Sequence, residues 1–130
     1  MVSSFYAGLL ALLIVWLSLG VIKIRRAKKV RLGDGGERDL QAAIRAQGNA
    51  IEYIPIALIL LLLLELSHAH QILLHIGGIA LFIGRLLHAK GMLTNDLKYR
   101  VMGMKTTINT LIGLAIANIG YALYQGIQAI

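Results

Sequence analysis

The stretch Arg45-Ala46-Gln47-Gly48-Asn49-Ala50-Ile51-Glu52-Tyr53-Ile54-Pro55 runs directly into an apolar block, Ile56–Leu64. An amide and a carboxylate therefore sit one or two helical turns inside a segment that otherwise belongs in lipid. Ionisable groups at that depth cost about 2.5 kcal/mol or more each on insertion, so they mark a site by default. Their spacing places them together. Arg45 to Asn49 is a step of four and Asn49 to Glu52 a step of three, which puts all three on one helix face. Gln41 and Arg38 continue that face toward water. A cation, an amide and a carboxylate thus line a path from the aqueous surface into the bilayer.

The remainder of the chain agrees with a membrane setting. Of 130 residues, 58% are hydrophobic and 15% charged, against about 25% charged in an average globular domain. Four segments are apolar enough to span: Phe5–Ile22, a second from near Ala46 to near Leu64, a third over about Ile72–Leu87 and a fourth over about Thr107–Tyr124. Each approaches the ~20 residues that a ~30 Å hydrocarbon core requires. The third is short and glycine-rich (Gly77, Gly78, Gly84), which makes it the weakest of the four by hydropathy. Residues 1–130 read as one all-α domain, an integral membrane four-helix bundle. No Lys or Arg precedes the first segment, so it does not read as a signal peptide.

All 13 Lys and Arg lie in two stretches. Lys23 to Arg45 is in or beside the first loop, and Arg85 to Lys105 in or beside the third. The positive-inside rule then puts both loops in the cytoplasm and both termini outside. The net charge of +7 is accounted for by topology and by contact with anionic membrane lipids, and calls for no nucleic acid. The chain has no cysteine, which excludes thiolate nucleophiles of its own and Cys-based metal sites. His68 and His70 lack a third ligand nearby, so no metal site is expected. Gly33-Asp34-Gly35-Gly36 is a turn signal and not a phosphate loop, since it lacks the Gly-Lys-Ser/Thr ending.

The remaining spans show their own patterns. Pro55 interrupts the hydrogen bonding of the second helix beside Glu52, where a bend would open a cleft. Arg85, His88 and Met92 share one face at the end of the third span. Thr106, Thr110, Gly113, Ala117 and Gly120 form a small-residue stripe on the fourth, which predicts helix packing there. Asn109 and Asn118 read as interhelical hydrogen-bonding groups. Arg25 and Arg26, Arg45 to Glu52, and Arg85 with His88 all fall at the same membrane face. Together they predict a pocket rich in guanidinium with one carboxylate, whose complement is a small ligand with several carboxylates and one ammonium. Glutathione has that charge pattern.

The motif Arg-Ala-Gln-x-Asn-x-x-Glu-Tyr-x-Pro, here Arg45 to Pro55, closely resembles the second-helix signature of the MAPEG family, the membrane-associated proteins of eicosanoid and glutathione metabolism. Seven positions agree at fixed spacing, and short bacterial members look most similar. The resemblance implies a homotrimer with glutathione, as co-substrate, held between neighbouring subunits. It implies that Arg45, Gln47, Asn49, Glu52 and Tyr53 bind glutathione, and that His88 matches a histidine in the prostaglandin synthase of the family. Arg26 matches a basic residue lining the site from the end of helix one. The thiolate-stabilising arginine of the family has Arg100 as its nearest equivalent, with Lys98 and Lys105 as alternatives. Met92 stands where characterised enzymes carry a tyrosine. The implied activity is that of a glutathione transferase or peroxidase, in which a guanidinium lowers the thiol pKa and the thiolate attacks an apolar electrophile or lipid hydroperoxide arriving through the bilayer. Two alternatives stand beside it: a non-enzymatic lipid-binding or scaffold member of the same family, and a proton-coupled exporter using Glu52. The exporter pattern places its essential carboxylate in helix one, which here is uncharged.

Overall fold

The computed structural model describes residues 1–130 as four helices and no strand: α1 Val2–Lys28, α2 Arg38–Leu66, α3 Gln71–Leu93 and α4 Leu97–Gln128. All four are long and apolar enough to cross a membrane. At 1.5 Å per residue even the shortest, α3 with 23 residues, is about 34 Å long, more than the hydrocarbon thickness. Every helix extends beyond its hydropathic segment. α3 runs six residues past Leu87 and α4 begins ten residues before Thr107. What reads as a long basic third loop is therefore mostly helix, with only Thr94–Asp96 between the two helices. Hydropathy stops where charge begins, but the backbone continues because charged side chains are good helix formers in water.

The bundle is held by a stripe from each helix. α1 contributes Tyr6, Leu10, Leu13 and Leu17 at steps of four, three and four, and α2 contributes Ala46, Ala50, Ile54, Ala57, Leu61 and Leu64. Three alanines on that face of α2 let α1 approach closely. Helix α2 continues unbroken through Pro55. The glycine-rich α3, weakest by hydropathy, is the most enclosed of the four, because its glycines are contact points. Gly78 lies beneath the Tyr6 ring, Gly77 against Leu114 and Leu61, and Gly84 against Thr106 and Thr107. Two more glycines close the basic end. Gly103 abuts the backbone of His88, and Gly91 abuts that of Arg100.

The small-residue stripe expected to pack α4 does so only in part within the chain: Thr106 meets Gly84 and Ala117 packs against the core. Gly113 and Gly120 meet nothing within 4 Å of where a Cβ would stand. The buried face of α4 is instead Gly103, Thr107 and Leu114. Its register is set by the close approach at Gly103, which leaves Gly113 and Gly120 of the expected stripe facing outward. Of the two asparagines, Asn118 donates to the Leu60 carbonyl at 3.0 Å and so ties α4 to α2, whereas Asn109 is exposed.

The ends are fixed by polar caps. His70 accepts from the Ile72 amide at the start of α3, and Asp96 from the Lys98 amide at the start of α4, satisfying donors that a helix N-terminus leaves free. At the opposite membrane face from the basic loops, Glu65 accepts from the amides of Val2 and Ser3 and from the Ser3 hydroxyl. That carboxylate, donated from another helix, caps α1 and meets the positive end of its dipole.

Candidate functional site

Arg85 is the centre of the polar cluster. Its side chain is 1% exposed, within a span. Nη2 donates to Asn49 Oδ1 at 2.6 Å and lies 3.3 Å from His88 Nδ1. Nη1 donates to Thr107 Oγ1 at 3.4 Å, and the guanidinium carbon stands 5.9 Å from the centre of the Tyr53 ring. Residues from α2, α3 and α4 therefore converge on one cation. The Thr107 hydroxyl in turn donates to the Gly103 carbonyl at 2.8 Å, so its lone pairs face Arg85. The Nε atom of Arg85 is buried without a partner. Burying a guanidinium in this way is costly unless its donors are satisfied. Here one of its donors stays unsatisfied.

The Arg45 and Glu52 side chains form a bidentate pair on the outer face of α2, with N–O distances of 3.3 and 3.4 Å. Each is about half exposed, 55% and 52%. Gly48 lies between them in sequence, and the Arg45 guanidinium passes 3.1 Å from the position its Cβ would take. Arg45 also lines a recess of about 530 Å³ together with Arg38, Gln41, Met92 and Arg100. This recess brings the start of α2 and the end of α3 against the start of α4. The Gly91 contact presses the Arg100 backbone onto α3, which is how a residue of α4 arrives beside Arg45.

Of the residues singled out from sequence, Asn49, Tyr53 and His88 thus meet around Arg85, and Arg45, Glu52 and Arg100 gather at the mouth. Two do not join them within the chain. Gln47 points to the other side of α2 and donates to Ser18 Oγ of α1 at 3.1 Å. Arg26 lines a different recess at the end of α1, and its neighbour Arg25 turns to the loop carbonyl of Gly33 at 2.7 Å. The sequence reading grouped Arg85 with His88 but gave it no ligand role, and it missed Thr107 altogether. An arginine between Gly84 and Leu86, still inside the apolar register of its helix, was the available signal. Thr107 offered none, since threonine is unremarkable in a membrane helix.

A model of the MAPEG family matches residues 3–120, nearly the whole chain. The chain belongs to the MAPEG family. It is also 44% identical over 125 residues to the inner membrane protein YecN of Escherichia coli strain K12, covering 96% of this chain and 95% of that protein. The corresponding protein of the O6:H1 strain CFT073 matches equally well. The segment Arg45–Pro55, which lies within the matched residues, supplies Asn49 and Tyr53 to the Arg85 cluster and carries the Arg45–Glu52 pair.

Proposed function

We propose that this MAPEG protein resides in the inner membrane as a homotrimer and binds glutathione at the Arg45–Glu52–Arg100 recess, where it acts as a glutathione transferase or peroxidase. The observation that carries the reading is the half-exposed Arg45–Glu52 pair at the mouth of a recess shared with Arg100. Glutathione bears carboxylates and an ammonium. It can replace the internal pair with two matched external ones, its carboxylate on Arg45 and its ammonium on Glu52. Opening the pair is offset by the contacts that replace it, since hydrogen bonds to charged groups contribute about 1.5–3 kcal/mol each. Behind the pair, the Arg85–Asn49 hydrogen bond fixes the α2 segment that carries it.

Support for the trimer comes from the same pair. A carboxylate on the outer face of a membrane helix does not stably face lipid, so a second copy would cover it. The neighbour is also the route by which Gln47 and Arg26 would reach a site that their own chain does not bring them to. The basic end is assigned to the cytoplasm, where glutathione is made available, and both termini to the other side.

Arg100 is the proposed activating group. A free thiol has a pKa near ~8.5. A fall to ~6.5 requires roughly 2.7 kcal/mol of preferential thiolate stabilisation, within reach of one partly desolvated guanidinium. The thiol proton leaves to water, the thiolate sulfur forms a bond to the electrophilic carbon, and the leaving group departs with its electron pair. The apolar acceptor would come from the bilayer. Met92, an apolar side chain in the same recess, favours as second reading a member that binds lipid without conjugating it. The test is titration of glutathione into detergent-solubilised protein with ultraviolet detection. Saturable binding with thiolate absorbance at neutral pH is expected. Saturable binding without thiolate up to about pH 8, near the free-thiol pKa, would select the second reading, and no binding at all would refute both the site and its ligand.

A further inference from the structure

The other basic region of the chain has a built geometry of its own. Six residues, Ile22, Arg25, Arg26, Lys29, Val30 and Arg31, surround a recess of about 500 Å³ where α1 ends. The segment is not a loose tail. Val30 and Ile24 pack onto a small core of Val21, Leu40 and Ala43, and Gly35, at φ +60°, closes over the Val30 side chain. Lys29 holds the left-handed conformation that ends the helix, φ 57°, and its amide returns to the Arg25 carbonyl.

The charges in this region divide into two sets. Lys28 is engaged by Glu37 at 3.6 Å and Asp39 at 4.0 Å, and Arg25 by the Gly33 carbonyl. Arg26, Lys29 and Arg31 have no carboxylate among the residues around the recess. On its membrane side the recess is continuous with an exposed apolar strip on α1. Leu12, Val15, Leu19 and Ile22 are each exposed, at 69%, 52%, 58% and 44%. They recur at steps of three and four and lead to Arg26 on the same helix face. Lys29 and Arg31, two unpaired cations at headgroup level above a continuous apolar track, match a molecule with a phosphate at one end and an acyl chain at the other.

We propose that this recess is a binding site for the phosphate headgroup of an anionic phospholipid, held by Lys29 and Arg31, its acyl chain lying along Ile22, Leu19 and Val15. A diffuse basic surface attracts anionic lipid in proportion to charge and without saturation. A recess at the end of a defined track saturates.

The chain has one tryptophan, Trp16, which is 58% exposed beside that track and about 15 Å along the helix from Arg26. This is mid-chain depth for a lipid anchored at the recess. The experiment places the full-length protein in phosphatidylcholine nanodiscs and adds phosphatidylglycerol with brominated acyl chains, reading Trp16 quenching. Saturable quenching at low mole fraction is expected, with brominated phosphatidylcholine giving only a linear response. Lys29→Gln with Arg31→Gln should weaken the effect roughly fivefold for each basic residue removed, about 25-fold together. Lys29→Arg with Arg31→Lys should retain it, and so should Lys98→Gln with Lys105→Gln at the other basic segment. Equal quenching by the two lipids, or equal loss from neutralising either basic segment, would overturn the site. Loss in the charge-conserving variant would overturn the charge-based assignment. Displacement of the lipid by excess inorganic phosphate would assign the recess to free phosphate instead. None of these readouts depends on glutathione binding.

Discussion

Replacing Asn49 by leucine takes away the shortest contact of a buried guanidinium. Arg85 Nη2 reaches Asn49 Oδ1 at 2.6 Å, while its approaches to His88 and Thr107 are longer, 3.3 and 3.4 Å, and Nε has no partner. A hydrogen bond to a charged group contributes about 1.5–3 kcal/mol. An ordinary interhelical polar contact in a membrane averages about 0.6 kcal/mol and does not exceed ~1.7. The two values separate the hypotheses. Asn49→Leu alone should lose about 1.5–3 kcal/mol of stability, because it leaves a charge buried and less satisfied. Arg85→Met removes the charge with its side-chain length roughly kept, and such apolar replacements of buried ions are frequently close to neutral. The double variant should then be close to Arg85→Met alone, giving a coupling energy of about 1.5–3 kcal/mol. The assay is reversible unfolding in mixed micelles followed by helical circular dichroism, with glutathione titration of each folded variant. A coupling near or below ~0.6 kcal/mol, the average for interhelical contacts, would refute the account of Arg85 as an Asn49-anchored cation. Undiminished glutathione affinity in folded Arg85→Met would refute its place in the site.

Arg45→Ala should weaken glutathione binding by about 1.5–3 kcal/mol, and Glu52→Gln should fold normally yet bind poorly; unchanged calorimetric affinities in both would show that the recess is not the binding site. Gly103→Ala sets a methyl group against the His88 backbone, whereas Gly113→Ala meets open space. The first should cost about 1–3 kcal/mol or more and the second should be near neutral or slightly stabilising; equal thermal shifts would contradict the α3–α4 contact. Glu65→Gln keeps one of the two acceptor oxygens of the α1 cap and turns the other into a donor, so it should cost about 1 kcal/mol, while Glu65→Ala loses both and should cost about 1–2 kcal/mol and raise hydrogen exchange at Val2 and Ser3. A reporter fused at the C-terminus that works only in the cytoplasm should be inactive, and the same reporter inserted at Gly35 active, as the positive-inside rule requires.

The helices were legible because hydropathy and charge placement are properties of single segments. The site's mouth was legible for a similar reason: Arg45, Asn49 and Glu52 share one helix face, and a spacing of four and three is enough to see it. The contacts that hold the centre together were not. Arg85 touches Asn49 across 36 residues and Thr107 across 22, and no periodicity records which faces of two helices meet. The outward facing of Gly113 and Gly120 on the α4 stripe was hidden by the same gap. Thr106, Thr110, Gly113, Ala117 and Gly120 do form a stripe, but which part of it points outward depends on Gly103 meeting His88. Gln47 shows the limit of a linear motif. It lies two residues from Arg45, yet that step turns it about 200° around the helix, toward Ser18 of α1.

That separation bears on how assembly and binding are related. On the proposed reading, one face of α2 carries the half-exposed Arg45–Glu52 pair and the opposite face carries Gln47 toward α1. A single chain leaves the first face open along a membrane helix that also exposes Ile51, Ile56 and Ile59, at 46%, 47% and 51%. Isoleucines tolerate lipid, but the ion pair does not. An assembly that covers the pair encloses the recess and lowers its dielectric, and this strengthens each charge contact that a ligand makes there. Ligand and neighbour then stabilise the same state of Arg45 and Glu52, so they should be coupled in both directions. Glutathione should raise the stability of the oligomer in detergent, and dilution into excess detergent that separates the subunits should lower glutathione affinity by the same factor. Dissociation of the subunits with affinity intact would mean that each chain holds the ligand alone, and the argument that the α2 pair is completed by a second copy would fail.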